Sequence, residues 1–92
     1  MKIPTQWLKE WIDVSWDARE LGSRLTMAGF ELEALQDSVL ELNVTPNRGD
    51  AMSVLGIARE VAALSGNPLK GPRIEPVPPA ITETFPVEVL AP

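Results

Sequence analysis

Along residues 1–66 the spacing of apolar positions changes twice. Trp7, Leu8, Trp11 and Ile12 recur at i, i+1, i+4 and i+5, which predicts a short helix. Pro4 suits its first turn. Asp13 to Ser15 break the pattern, and Ser15 or Asp17 is placed to cap a second helix. Ala18, Leu21, Leu25 and Ala28 mark its buried face, and Gly29 stands where a helix end favours a left-handed residue. The period then drops to two. Phe30, Leu32 and Ala34 alternate with Glu31 and Glu33, and Leu40, Leu42 and Val44 alternate with Glu41 and Asn43. These segments predict two half-buried strands joined as a hairpin at Gln36-Asp37. Pro46 ends the ladder, Asn47 and Gly49 supply turn chemistry, and Asp50 is placed to cap a third helix running through Met52 to Leu64. Leu55, Ala58, Val61, Ala62 and Leu64 cover one face of that helix, and Gly66 ends it.

The predicted fold is α+β, with three short helices packed on a β-hairpin in the order helix–helix–strand–strand–helix. Its predicted core contains Trp7, Trp11, Leu21, Leu25, Leu42, Leu55, Ala58 and Val61. Trp7 and Trp11 read as core because tryptophans at helical spacing more often fill an interior than stack on bases; Trp16 lies outside their stripe. The topology resembles small winged-helix domains, and any suggestion of nucleic-acid binding from it rests on fold analogy alone. After Asn67 come Pro68, Pro72, Pro76, Pro78 and Pro79, the composition of an extended linker. The expected division is a structural domain over 1–66 and a proline-rich linker over 67–92. The linker ends in an apolar segment, Phe85 to Leu90, that reads as the first strand of a further domain.

Composition narrows the function. Ninety-two residues make one small domain, and 45% hydrophobic content is enough for a core. There is no cysteine and no histidine, which removes disulfides, thiolate ligands and the usual general base and zinc ligand. No apolar run approaches the ~20 residues of a membrane span, so no membrane partner is expected. The formal net charge is −5, with 8 Lys and Arg against 13 Asp and Glu. That balance disfavours autonomous nucleic-acid binding, which draws most of its affinity from neutralising phosphates.

Thr45-Pro46-Asn47-Arg48-Gly49-Asp50 carries several polar residues close together. Arg48-Gly49-Asp50 is also an integrin-binding tripeptide. The structural reading is preferred: Gly49 supplies a φ the turn requires, and Asp50 caps the helix. Asn47, Arg48 and Asp50 lack an activated nucleophile, so Arg48 is expected to hydrogen-bond backbone carbonyls or a carboxylate instead of serving catalysis. Asp50, Glu60, Glu31, Glu33 and Glu41 could suggest a magnesium site, but carboxylates at alternating strand positions are more often a solvated face, and no metal site is assigned. Arg48 and Arg59 remain the candidate nucleic-acid contacts, with Arg24 able to join them in space.

The stretch from Leu42 through Thr45-Pro46-Asn47-Arg48-Gly49-Asp50 to Leu64 resembles a segment of the β subunit of bacterial phenylalanine–tRNA ligase, where a strand runs into Thr-Pro-Asn-Arg-Gly-Asp and then a helix. Trp7-Leu8-Lys9-Glu10-Trp11 and Leu25-Thr26-Met27-Ala28-Gly29-Phe30-Glu31 resemble the opening of the same subunit, in the same order. In that family a tRNA-binding OB-fold domain is inserted between the two strands. Here Glu33-Ala34-Leu35 runs into Val39-Leu40 across only a few residues, so the insert is missing between about 35 and 39. A natural variant and an excised host domain both fit; excision is preferred, because the chain also stops at what resembles the first strand of the family's editing domain. The resemblance implies a non-catalytic structural domain with no catalytic residue and no cofactor of its own. It implies the rest of the β subunit and the α subunit as partners, the aminoacylation chemistry lying in α. It also implies tRNA(Phe) reached through the intact complex, ATP and Mg²⁺ used by the parent enzyme, and a cytoplasmic location. A small module that binds tRNA or protein directly, or a free-standing paralogue, is the alternative.

Overall fold

The computed structural model describes residues 1–91; Pro92, the end of the expected linker, lies outside the described residues. The elements are β1 (Lys2–Pro4), α1 (Thr5–Leu8), α2 (Ala18–Met27), β2 (Glu31–Gln36), β3 (Val39–Asn43), a 3-10 turn (Gly49–Ala51) and α3 (Val54–Ser65). The α+β class stands, with one strand more than the sequence pattern predicts.

That strand, β1, pairs antiparallel with β3, which makes β3 the centre of a sheet ordered β1-β3-β2. Three residues are too few to carry a period, but Ile3 is fully buried opposite Leu40. The pairing continues past the strand: Leu42 N–H donates to the Met1 carbonyl at 2.8 Å, and the Met1 amino group donates to the Leu42 carbonyl at 2.7 Å. Pro4 closes β1 in extended geometry (φ −64, ψ 130) and stands just before α1, since its missing N–H is no loss there.

Regular helix in α1 stops at Leu8, short of the predicted Ile12. Helical turns continue, with Trp11 and Ile12 both donating to the Leu8 carbonyl. The buried stripe is therefore Leu8 and Ile12. Trp7 is a correction to the predicted core: it is 58% exposed. Trp11 is half-buried against the core. α2 begins at Asp17, whose side chain accepts from Glu20 N at 2.8 Å, and Gly29 leaves it with φ 104. Leu21 and Leu25 are buried on it.

The β2–β3 hairpin turns at Asp37 and Ser38, one residue later than predicted, with both residues left-handed (φ 51 and 60). A bulge between Leu32 and Ala34 displaces Glu33 and shifts the alternation. Ala34, read as inward, is exposed, and Leu35 takes its place, half-buried. Phe30 is buried just ahead of the strand. One core joins Ile3, Leu8, Ile12, Leu21, Leu25, Phe30, Leu40, Leu42, Ala51, Ile57, Ala58 and Val61. Leu55, predicted for that core, is only half-buried; Ile57 holds the interior position on α3. Residues 72–91 belong to no helix or strand.

The Thr45–Asp50 turn as candidate functional site

The turn bridges the centre of the sheet to α3. Thr45 begins it: its carbonyl accepts from Arg48 N at 3.0 Å and its hydroxyl donates to Asn47 Oδ1 at 2.6 Å. These two bonds close the chain locally behind Pro46. Arg48 then accepts from Ala51 N at 3.0 Å, and Gly49 from Met52 N at 3.2 Å, which forms the 3-10 turn.

The Arg48 side chain is the hub. Its Nε donates to Asp50 Oδ1 and its Nη2 to Asp50 Oδ2, both at 3.0 Å, a two-pronged pair matched to the planar guanidinium. Nη2 also contacts Glu60 on α3. The guanidinium carbon lies 5.0 Å from the centre of the Phe30 ring, over a residue that is itself in the core. Hydrogen bonds to Asp50 first, and then to Glu60, raise the Arg48 pKa above its ordinary value. The Arg48 hydrogen bond holds the Asp50 carboxyl below the usual aspartate range.

Two sequence expectations fail here. Asp50 does not cap α3. Its carboxylate faces Arg48, and Ser53 is the cap, with Oγ accepting from Gly56 N at 2.9 Å. The 3-10 turn intervenes, so α3 starts at Val54, two residues after the predicted Met52. Gly49 has no left-handed φ, and a Cβ on it would meet nothing within 4 Å. The glycine the turn requires is Gly56: a Cβ there would lie 2.1 Å from the Asp50 carbonyl oxygen and 2.9 Å from the Ala51 Cα. Ala51 is fully buried under this contact. A glycine inside a predicted helix is the one sequence signal for such an approach.

Two of the three candidate basic residues are held in pairings of their own. Arg24 pairs with Glu20 at 2.9 Å and lies 4.2 Å from the centre of the Trp16 ring. Arg48 is held as described, and Arg59 is exposed and makes no ion pair among the described residues. Among the described residues, no group of three or more His, Cys, Asp or Glu side chains is placed to hold a metal ion. No helix there is long and apolar enough to cross a membrane.

Over 89 aligned residues covering 82% of the chain, it is 46% identical to the phenylalanine–tRNA ligase beta subunit of Bordetella pertussis. Identity is 53% over 58 residues, 63% of the chain, with the beta subunit of Burkholderia pseudomallei. It is 51% over 61 residues, 66% of the chain, with that of Coxiella burnetii. The chain matches a fragment of the phenylalanine–tRNA ligase beta subunit. It spans only 11%, 7% and 8% of the length of those three beta subunits. No family model matches the chain. No solved structure matches it either. Similarity to the beta subunits extends over most of the chain.

Proposed function

We propose that this chain is a non-catalytic structural element of a phenylalanine–tRNA ligase beta subunit. The observation that carries the reading is the commitment of Arg48. The guanidinium at the middle of the signature turn is turned onto Asp50, Glu60 and the Phe30 ring, all within the chain. The turn's charged groups face one another, and what they accomplish is to fasten β3 to α3. A site built to bind a phosphate or a carboxylate would leave that fork open to solvent.

In the whole enzyme, the beta subunit and an α partner would attach phenylalanine to tRNA(Phe) in the cytoplasm, using ATP and Mg²⁺. This element, over about residues 1–66, would organise the start of the subunit. The proline-rich segment 67–92 would lead into the subunit's next domain, and the β2–β3 hairpin would stand where the family carries its OB-fold insert. Direct tRNA contact is the second reading, favoured by the exposed Arg59, which has no ion-pair partner among the described residues. The test is phenylalanine-dependent ATP–pyrophosphate exchange on the purified chain. Exchange at the no-protein background is expected, and exchange above it overturns the non-catalytic reading.

A further inference from the structure

The first residues of the proline-rich segment do not leave the domain freely. Ile12 and Leu69 form an antiparallel bridge, and Lys70 N–H donates to the Trp11 carbonyl at 2.7 Å. Asn67 Nδ2 donates to the Asp13 carbonyl at 2.7 Å, and Lys70 Nζ meets Asp13 Oδ1 at 2.9 Å. Gly71 then passes so near the Trp11 ring that a Cβ on it would lie 3.0 Å from one ring carbon and 3.3 Å from another. Contacts from Asn67, Leu69, Lys70 and Gly71 thus join this segment to Trp11, Ile12 and Asp13, far earlier in the chain. Most are backbone or side chain–backbone bonds, which an exposed ion pair alone would not replace. From Pro72 the chain has no secondary structure among the described residues.

We propose that residues 67–71 form a strap that ties the end of α3 back to the segment after α1 and fixes the point and direction at which the chain leaves the domain. The folding unit then runs to Gly71, not Gly66, and the hinge is Gly71-Pro72. Trp11 is the strap's seat: its carbonyl takes the Lys70 N–H, and its ring accepts the bare glycine. Closure brings together residues distant in sequence, so the strap is the last part to form and the first to open, while the core under Leu25, Ile57 and Val61 stays shut. For any larger protein containing this piece, the strap converts a flexible exit into an oriented one. This holds whether or not the structural reading above is correct, because it depends only on contacts within the chain.

Amide hydrogen exchange on the full chain tests it. The Lys70 amide is expected to exchange roughly tenfold or more slowly than that of Ile74, which lies beyond the hinge. In the Gly71→Val chain the Lys70 protection should fall to the Ile74 level, while the amides of Ile57 and Val61 keep theirs. Trypsin provides a second readout: cleavage after Arg73 should precede cleavage after Lys70 in the unaltered chain, and Gly71→Val should remove that order. A Lys70 amide that exchanges as fast as Ile74 in the unaltered chain, or that keeps its protection in Gly71→Val, contradicts the strap.

Discussion

Gly56 on α3 lies so close to the Asp50 carbonyl that a methyl group on it would sit 2.1 Å from that oxygen. The contact is backbone on backbone, so no side-chain rotation relieves it. In an exposed helix interior, Gly→Ala normally gains up to about 1 kcal/mol. Here the sign reverses: Gly56→Ala should cost about 1–3 kcal/mol, the usual range for overpacking a well-filled site. Gly49→Val, at a position with open space and no left-handed φ, should move the urea midpoint little. Equal midpoint shifts for the two variants would contradict this assignment.

The Arg48–Asp50 pair makes stability depend on pH in one direction. The folded-state pKa of Asp50 lies below its ordinary value of 3.8, so the unfolded chain takes up the proton first on acidification. The stabilisation is fully present above the unfolded value and is lost as pH falls through the folded one. Urea midpoints of the wild type and Asp50→Asn should differ at neutral pH and converge at the acid end. A gap that stays constant down to about pH 2 would mean the carboxylate's charge contributes nothing.

The exposure of Trp7 separates the two tryptophans that the helical stripe places together. Leu8→Ala should cost about 2–5 kcal/mol, the range for truncating a fully buried leucine, and Trp7→Ala much less. Chemical denaturation of the two variants decides it; a larger loss at Trp7 would restore the predicted stripe.

These cases mark where the sequence is legible. The caps are local chemistry: of the two candidates Ser15 and Asp17, Asp17 caps α2, and Gly29 and Gly66 have left-handed φ as read. The alternation of Leu40 and Leu42 places the central strand, because both inward residues are fully buried. Facts that depend on pairing across the chain were not legible. β1 has only three residues and exists through β3. The Leu32/Ala34 bulge is set by register against β3, and it inverts the inward face halfway along β2. Asp50 had the right residue type for a helix cap and was claimed instead by an arginine two positions away, leaving Ser53 to the helix. In the turn itself, the sequence pointed to Arg48 bonding backbone carbonyls or a carboxylate, and the structure gives it the Asp50 carboxylate. The sequence did not point to Glu60, twelve residues on, or to the Phe30 ring beneath.

On the function proposed above, the chain organises structure and does not read RNA. Arg24, Arg48, Lys70 and Arg73 are ion-paired, which leaves Lys2, Lys9, Arg19 and Arg59 without an ion pair among the described residues, on a chain of net charge −5. Affinity for a duplex falls with salt by a power of about 0.9 per phosphate contacted, and a few scattered cations cannot hold RNA against that loss. The most direct measurement is a titration of labelled tRNA with the purified chain at about 0.15 M salt. No saturable binding is expected. Saturable binding at that salt, weakened by Arg59→Glu in a chain that remains folded, would contradict it and make α3 a tRNA contact.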